Sequence, residues 1–375
     1  MDAVRTGPPP VPAAAPDLDG NEAAYAAAAV RSSWISSSGA FLDRFEREFA
    51  DLCGTRHALA VSNGTTALHL ALAALGIGPG DEVVVPSLTF VATANAVAYT
   101  GATPVFADVG TADWCLDPDA VRRALTPATR AVICVHLYGQ PADVDALQRI
   151  CGPRGIALVE DSAQAPFATY RDRPTGGLAT AGTFSFFGNK VITCGEGGAV
   201  TTDDDALAAR MRLLRSHGMS PDRRYWHPVI GYNYRLTNVA AAILCAQLER
   251  HRPLLQRRRE IFARYEARLA GAPGLRVQAD LPGRRRTPWL FSVLVDEEVR
   301  GESRDDVIAR LADAGLDTRP FFPLVHGFPP YRQAAAGARL PVSELLSRQG
   351  LSLPAHPGLR DDDVDRVCAA LLHER

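Results

Sequence analysis

The sequence predicts an α/β fold with a mostly parallel sheet. Short apolar or β-branched runs recur along the first half of the chain, and amphipathic or Ala-rich helical segments separate most of them. This alternation favours parallel strands, because each parallel connection needs a crossover segment, usually a helix. The length of 375 residues allows one large domain and a smaller one.

The first predicted element is an extended arm. Residues 1–20 are rich in proline, with three prolines in a row from Pro8, so we expect no packed structure of their own there. An Ala-rich helix is expected at 21–30, followed by a polar loop around Trp34. The apolar spacing at 41–52 is that of an amphipathic helix.

The following elements build the sheet and then a second unit. Strands are expected at 58–61, 82–85, 103–107, 131–136, 157–160 and 183–187. Helices are expected at 67–75, 91–99, 142–150 and 238–255. In the C-terminal part of the chain, predicted helices and strands alternate again, with a helix after 260, a strand at 289–295, a helix at 304–314 and a closing helix from 362. The predicted units are the arm at 1–20, a large domain at 21–255 and a small C-terminal α/β domain at 256–375.

Composition and charge disfavour several classes of protein. A formal net charge of −2 removes the general attraction on which nucleic-acid binding depends. No apolar run reaches the roughly 18 residues that span a bilayer, and the N-terminus shows no signal peptide. The seven cysteines are scattered without a C-x-x-C pair, which argues against disulfides or a zinc site. We expect a cytoplasmic protein with no metal site and no membrane or nucleic-acid partner.

Lys190 is the only lysine among the 40 Lys and Arg residues. Arg stays protonated, whereas an amine can lose its proton and attack a carbonyl. Lys190 follows the apolar run 184–187 and precedes a Gly-rich turn at 194–198, a context that fits a buried, positioned amine. Schiff-base chemistry is the functional interpretation, and an ordinary surface lysine is the alternative.

Two further motifs follow predicted strands. Gly64, Thr65 and Thr66 join a strand to the N-terminus of a helix, where unpaired N–H groups and the helix dipole favour a phosphate. Glu160 and Asp161 place acids at the end of a buried strand, at the sheet edge where ligands bind in open α/β folds. An ordinary helix cap is the alternative at each place.

An amine, a carboxylate and a phosphate cradle on one sheet are the groups that pyridoxal 5′-phosphate requires. The amine would hold its aldehyde as an imine, the carboxylate would keep its pyridinium protonated, and the cradle would fix its phosphate. The combination is far more specific than any one motif, and it predicts this cofactor.

Several motifs occur in a family-specific order. They lie at 63–68, 80–83, 86–90, 135–140, 160–164, 184–198 and 231–235. Together they resemble the DegT/DnrJ/EryC1/StrS sugar aminotransferases over nearly the whole chain. The resemblance implies the aspartate-aminotransferase fold (fold type I): a large pyridoxal-phosphate domain with a mostly parallel mixed sheet and a smaller C-terminal α/β domain. Relatives that dehydrate sugars carry His at the position of Lys190, so the lysine favours amino transfer.

The resemblance also implies roles for individual residues. Lys190 forms the imine and then moves a proton during the transfer, Asp161 pairs with the pyridine nitrogen, and Phe90 stacks on the ring. The remaining cofactor contacts are Gln164 at the 3-hydroxyl side and, at the phosphate, Gly64, Thr65, Ser185 and, from the second copy of a homodimer with shared active sites, Asn233.

Within the family, residues 34–39, 186–190 and 223–235 look most like a subgroup that aminates GDP-4-keto-6-deoxymannose to GDP-perosamine with L-glutamate as donor. Arg223 and Arg224 have the charge to pair with a diphosphate, and Tyr225 or Trp226 has a ring to stack on a base or sugar. A surface loop that packs on a partner subunit is the alternative. The other candidate substrate contacts are Trp34, His217, His227 and His326.

Three functions stay open on this basis. The first is the amination just described. The second is the same chemistry on a 3-keto, dTDP-linked or UDP-linked sugar, or on a keto-cyclitol, with glutamine as a possible donor. The third is a non-catalytic protein that holds the cofactor and supports another sugar enzyme.

Overall fold

Helices and strands alternate through the computed structural model, which describes residues 9–335 and 337–374. The α-helices are α1 (Glu22–Arg31), α2 (Ala40–Cys53), α3 (Gly64–Ala74), α4 (Ala92–Tyr99), α5 (Pro118–Ala124), α6 (Val144–Cys151), α7 (Asp205–Arg215), α8 (Asn238–Glu249), α9 (His251–Leu269), α10 (Glu297–Arg300), α11 (Arg304–Asp313), α12 (Pro341–Gln349) and α13 (Asp361–Leu372). The strands are β1 (His57–Val61), β2 (Glu82–Pro86), β3 (Thr103–Ala107), β4 (Thr129–Val135), β5 (Ala157–Asp161), β6 (Thr169–Tyr170), β7 (Arg173–Pro174), β8 (Ala181–Ser185), β9 (Gly198–Thr202), β10 (Leu275–Val277), β11 (Arg284–Arg285), β12 (Phe291–Val295), β13 (Arg319–Pro320) and β14 (Gly350–Leu353).

The central sheet has seven strands in the order β1-β9-β8-β5-β4-β2-β3. Five neighbouring strands, β8, β5, β4, β2 and β3, pair in parallel, whereas β9 is antiparallel to both of its neighbours, β1 and β8. The predicted mostly parallel mixed sheet is therefore confirmed. Because parallel strands end at one edge, the segments after β2, β5 and β8 meet there.

Both faces of this sheet are covered, which explains its continuous apolar strands. In β2, Val83 and Val85 face one buried cluster, while Val84 faces another. Successive residues of a strand point to opposite faces, so a strand covered on both sides must be apolar at every position.

The second sheet is antiparallel, in the order β10-β12-β14-β13. Its core contains Phe291 and side chains from α9, α11 and α13, such as Tyr265 and Val367. Val11 belongs to the same core and bridges in parallel to Leu316. A third, three-stranded sheet is formed by β11-β6-β7.

Residues 9–20 of the predicted arm pack against the rest of the chain. Val11 and Ala13 are buried, and the Val11 N–H donates to the Gly315 carbonyl at 2.9 Å. Residues 9–20 contain no helix, and hydrogen bonds between Val11 and residues 315 and 317, just before β13, satisfy part of their backbone. Residues 1–8, the other part of the predicted arm, lie outside the described residues.

The helix predicted at 238–255 is two helices. It breaks at Arg250, which has φ −107° and ψ 5° and separates α8 from α9. The predicted domain boundary between 255 and 256 falls inside α9, and the division into three units remains a prediction. Of the helices in residues 9–335 and 337–374, none is both long and apolar enough to cross a bilayer.

Candidate active site

A cavity of about 400 Å³ opens at the carboxyl edge of the central sheet. Most of its walls come from the segments that follow β1, β2, β5 and β8, as expected for a site at the ends of parallel strands. Seven residues of the predicted cofactor set line it: Gly64, Thr65, Phe90, Asp161, Gln164, Ser185 and Lys190.

The Lys190 side chain reaches into this cavity from the loop after β8. Its Nζ lies 4.1 Å from the centroid of the Trp289 ring, and it makes no hydrogen bond or ion pair with the described residues. Although the side chain as a whole is partly exposed, removal of the amine from water lowers the pKa of Lys190 to about 8, and the Asp161 carboxylate opposes this shift. An amine with this pKa is deprotonated far more often near neutral pH than an ordinary lysine.

Asp161 is the buried carboxyl of the cavity. Its Oδ2 accepts a hydrogen bond of 2.8 Å from Thr93 Oγ1, and its Oδ1 accepts one of 3.2 Å from the Ala163 N–H. Burial raises the pKa of Asp161, and these hydrogen bonds together with the charge of Lys190 oppose the rise. The carboxyl is thus held in one orientation, in the same cavity as the Lys190 amine.

Glu160, the neighbouring acid, points to the other side of β5 and has a structural role. Its two oxygens accept N–H groups from Gly176, Leu178 and Ala179, and His136 Nε2 lies 3.0 Å from Oε2. The His136 Nδ1 accepts the Ala142 N–H, so Nε2 carries the proton and donates to the carboxylate. This network satisfies a fully buried charge without reaching the cavity.

The N-terminus of α3 forms the predicted cradle. Asn63 is its N-cap, accepting the Thr66 N–H in a reciprocal capping box. The N–H groups of Gly64 and Thr65 have no hydrogen-bond partner among the described residues, and both residues line the cavity. A Cβ at Gly64 would lie 2.7 Å from the Ser185 Cβ, so only glycine lets the helix come this close to β8. The cradle and the cap are both present, on neighbouring residues.

Gln164 and Phe90 complete the walls. Gln164 Oε1 accepts the Tyr138 N–H at 2.8 Å, which leaves its amide NH₂ as the free donor. Phe90 is 56% exposed, with its ring centroid 5.9 Å from that of Phe322. An exposed aromatic at a cavity mouth provides a flat apolar face for a planar ligand.

The residues present fit pyridoxal 5′-phosphate. The unpaired helix N–H groups suit a phosphate, and the oriented Asp161 carboxyl suits a protonated ring nitrogen. The Lys190 amine is free of competing hydrogen bonds and suits the aldehyde. Among residues 9–335 and 337–374, no group of three or more His, Cys, Asp or Glu side chains is arranged to hold a metal ion.

The other predicted site residues lie outside this cavity in the single chain. Trp34 is 61% exposed and lines a second cavity of about 620 Å³, together with Arg215 and Arg235. Asn233 is exposed and bridges to Ser216. His326 Nδ1 contacts Ser87 Oγ at 2.7 Å.

The predicted substrate loop is a surface hairpin. Arg223 lies over the ring of Trp226 at 4.6 Å, and Arg224 lies over that of Tyr225 at 5.0 Å. His227 Nδ1 contacts the His217 carbonyl at 3.0 Å. Every residue from 221 to 230 is exposed. The chain therefore presents these arginines and aromatics to solvent, and none of them lines the cavity that contains Lys190.

Two residues of the site had no sequence signal. Thr93 lies in the first turn of α4, where its hydroxyl reaches Asp161. Trp289 precedes β12 of the second sheet, and the sequence assigned it only to a strand. Both contacts join distant parts of the chain, and no local spacing encodes them.

The aspartate-aminotransferase-like fold and the similarity to known aminotransferases define the class: a pyridoxal-phosphate-dependent aminotransferase. Its cofactor is pyridoxal 5′-phosphate. The particular family follows from the sequence: the model of the DegT/DnrJ/EryC1/StrS aminotransferase family matches residues 16–372, and the chain belongs to that family.

Known relatives match almost end to end. A GDP-perosamine synthase from Caulobacter vibrioides is 48% identical over 365 residues, covering 97% of this chain and 98% of the relative. A GDP-perosamine synthase from Vibrio cholerae is 41% identical, covering 96% and 97%. The crystal structure of DesV from S. venezuelae superposes with a TM-score of 0.90 at 40% identity and covers 98% of both chains.

Proposed function

We propose that this enzyme transfers an amino group from L-glutamate to GDP-4-keto-6-deoxymannose and so makes GDP-perosamine. The observation that carries the proposal is the 48% identity to the Caulobacter vibrioides enzyme across 97% of the chain. We further propose that it acts as a cytoplasmic homodimer with shared active sites.

Lys190 is the proposed catalytic residue. The bound cofactor supplies a carbonyl that exchanges amino groups and a ring that accepts the electrons left when the donor carbon loses its proton. The Nζ of Lys190 would hold the cofactor between turnovers, and as a free amine it would take the proton from the donor carbon. A pKa of about 8 suits both tasks, because the neutral form is accessible and its conjugate acid can return the proton.

Asp161 keeps the ring nitrogen protonated in this proposal. Its ionised form is the one required, and the hydroxyl of Thr93 stabilises that form with a 2.8 Å hydrogen bond. The buried position strengthens the interaction with a positive ring, because little water screens it.

The remaining contacts fix the cofactor in place. Gly64, Thr65 and Ser185 bind the phosphate at the N-terminus of α3, where the helix dipole adds to the free N–H groups. Phe90 covers the ring, and Gln164 donates to its 3-hydroxyl side. Asn233 of the partner subunit completes the phosphate contacts.

The exposed hairpin supports a role for the second subunit. Arg223, Arg224 and Tyr225 project outward together with His217 and His227. In a homodimer, such a hairpin reaches the partner's cavity, where its guanidinium groups pair with the diphosphate of the acceptor. Trp34 and His326 are the other proposed acceptor contacts.

Replacement of the lysine tests the mechanism. Lys190→Ala should lose the visible absorbance of the tethered cofactor and all turnover, because no other lysine can replace the amine. Lys190→Arg is the matched control: it keeps a positive charge and should be equally inactive. Full transaminase activity in Lys190→Ala would refute the assigned role.

The acceptor is tested separately. The purified enzyme, with glutamate, should aminate GDP-4-keto-6-deoxymannose with a kcat/KM well above that for dTDP-linked and UDP-linked keto-sugars or a keto-cyclitol. A higher kcat/KM for any of these alternatives would reassign the substrate while leaving the aminotransferase class intact. Bound cofactor with no half-reaction toward glutamate or glutamine would favour the non-catalytic alternative.

A further inference from the structure

Trp289 enters the cavity from the second sheet, whereas most of the other walls follow strands of the central sheet. It lies two residues before β12 of the second sheet, is 3% exposed, and its ring lies 4.1 Å from Lys190 Nζ. The other aromatic walls, Phe90, Phe187 and Phe322, show no comparable contact with the amine.

The indole of Trp289 is held at several points. Its Nε1–H donates to the Asn189 carbonyl at 2.9 Å, so it is bonded to the residue just before Lys190. Its own carbonyl accepts a 3.0 Å hydrogen bond from Arg258 Nη1, a buried guanidinium of α9. Its ring also lies nearly parallel to that of Tyr138, with centroids 6.3 Å apart. The ring therefore cannot turn away without breaking the Nε1–H bond to Asn189, and the carbonyl bond to Arg258 fixes the backbone that carries the ring.

This arrangement acts on Lys190 in two ways. The π face attracts the ammonium form of the amine, an interaction that strengthens where water is excluded. The Nε1–H fixes the peptide from which the lysine side chain starts. The charged groups nearest the amine are the Asp161 carboxyl, which favours its ammonium form, and Glu196 at the exposed rim of the cavity.

We propose that Trp289 is a positioning residue for Lys190, whose indole holds the amine in place whenever the amine is not bonded to the cofactor. This rests on the proposed function in one respect: the lysine must leave the cofactor and return in every turnover. Trp289 then holds the free Nζ over its ring, in the same cavity as Asp161.

The single lysine makes a direct test possible. In the cofactor-depleted full chain grown with ¹³Cε-labelled lysine, one signal reports on Lys190. We expect it upfield of free lysine, because it lies over an aromatic face. In Trp289→Leu, which keeps apolar cover but has no π face, the signal should move downfield. Its titration midpoint should fall by about one pH unit, because the ammonium form loses its attraction.

Two variants make the result specific. Trp289→Phe keeps a π face without the indole N–H and should retain most of the upfield shift. Phe262→Leu removes an aromatic ring from the core of the second sheet and should leave the Lys190 signal unmoved. An unchanged signal and midpoint in Trp289→Leu would overturn the proposal, as would an equal effect of Phe262→Leu.

Folding failure of Trp289→Leu would not leave the question open. In that case the folded Trp289→Phe variant decides: a signal near the wild-type position supports the proposal, and a signal at the free-lysine position overturns it. Because the measurement needs no cofactor and no substrate, its outcome is independent of the Lys190→Ala test of the function.

Discussion

Thr93 offers a quantitative test of how the cavity keeps Asp161 ionised. Its Oγ1 donates a 2.8 Å hydrogen bond to Asp161 Oδ2, and both side chains are buried. A hydrogen bond to a charged group contributes about 1.5–3 kcal/mol, and one pKa unit corresponds to about 1.36 kcal/mol. Thr93→Val, which keeps the shape but removes the donor, should therefore raise the pKa of Asp161 by about one to two units.

The sign of the pH effect follows from this shift. Burial already raises the pKa of Asp161, and the Thr93 hydroxyl opposes that rise. Only the ionised carboxylate stabilises a protonated ring nitrogen, so activity is lost as the pH falls through its pKa. Without the donor, this loss should begin at a pH about one to two units higher.

The assay is the pH dependence of the first half-reaction. In single-turnover experiments, absorbance follows the conversion of the cofactor by excess glutamate. The acid limb, which is the fall of this rate constant at low pH, should lie at a higher pH in Thr93→Val. Thr93→Ser keeps the hydroxyl and should retain the wild-type limb. A wild-type limb in Thr93→Val, or an equal displacement in Thr93→Ser, would refute the reasoning.

Three further changes should have measurable effects. Asp161→Asn should lower the pKa of Lys190 below about 8, because the carboxylate raises it; reductive alkylation of the cofactor-depleted chain at a series of pH values measures this. Glu160→Gln should lower the free energy of unfolding by about 3 kcal/mol, because an amide NH₂ would face backbone N–H groups in a buried site; urea denaturation measures this. Gly64→Ala should weaken cofactor binding about ten- to hundredfold, because its Cβ would collide with Ser185 and move the cradle; equilibrium titration with pyridoxal 5′-phosphate measures this.

Two of these predictions have a matched control variant. Asp161→Asn also serves as the control for Glu160→Gln. It removes a charge that burial disfavours, so the free energy of unfolding of the cofactor-depleted chain should not fall. An added Cβ at Gly152 meets nothing within 4 Å, so Gly152→Ala should bind the cofactor like the wild type. Equal stability losses at positions 160 and 161, or equal affinity losses at 64 and 152, would contradict the structural explanation. An unchanged Lys190 pKa in Asp161→Asn would show that the two groups do not interact.

The sequence predicts the parts of the site that lie where strands end. Lys190, Asp161 and Gly64 each follow or close an apolar run, and parallel strands bring such positions to one edge. Trp289 and Thr93 escaped prediction because their roles depend on contacts between segments far apart in sequence. Their residue types are ordinary for a strand border and a helix, so no local pattern distinguishes them.

The break between α8 and α9 had a sequence signal that the apolar pattern concealed. Pro253 lies four residues after Glu249, and in one continuous helix its ring would press on the Glu249 carbonyl. Ending α8 at Glu249 avoids this clash and leaves Pro253 in the first turn of α9, where a missing N–H costs nothing. Apolar periodicity alone continues through 238–255 and does not reveal the turn.

The burial of Val11 and Ala13 has a consequence for the order in which the protein forms. The Val11 carbonyl accepts from the Asp317 N–H at 2.9 Å, and the Ala13 N–H donates to Asp317 Oδ2 at 3.3 Å. A ribosome makes Val11 and Ala13 some 300 residues before it makes Asp317. This contact can therefore form only after residue 317 has emerged, and a fragment started at residue 256 would lack a piece of its own interior.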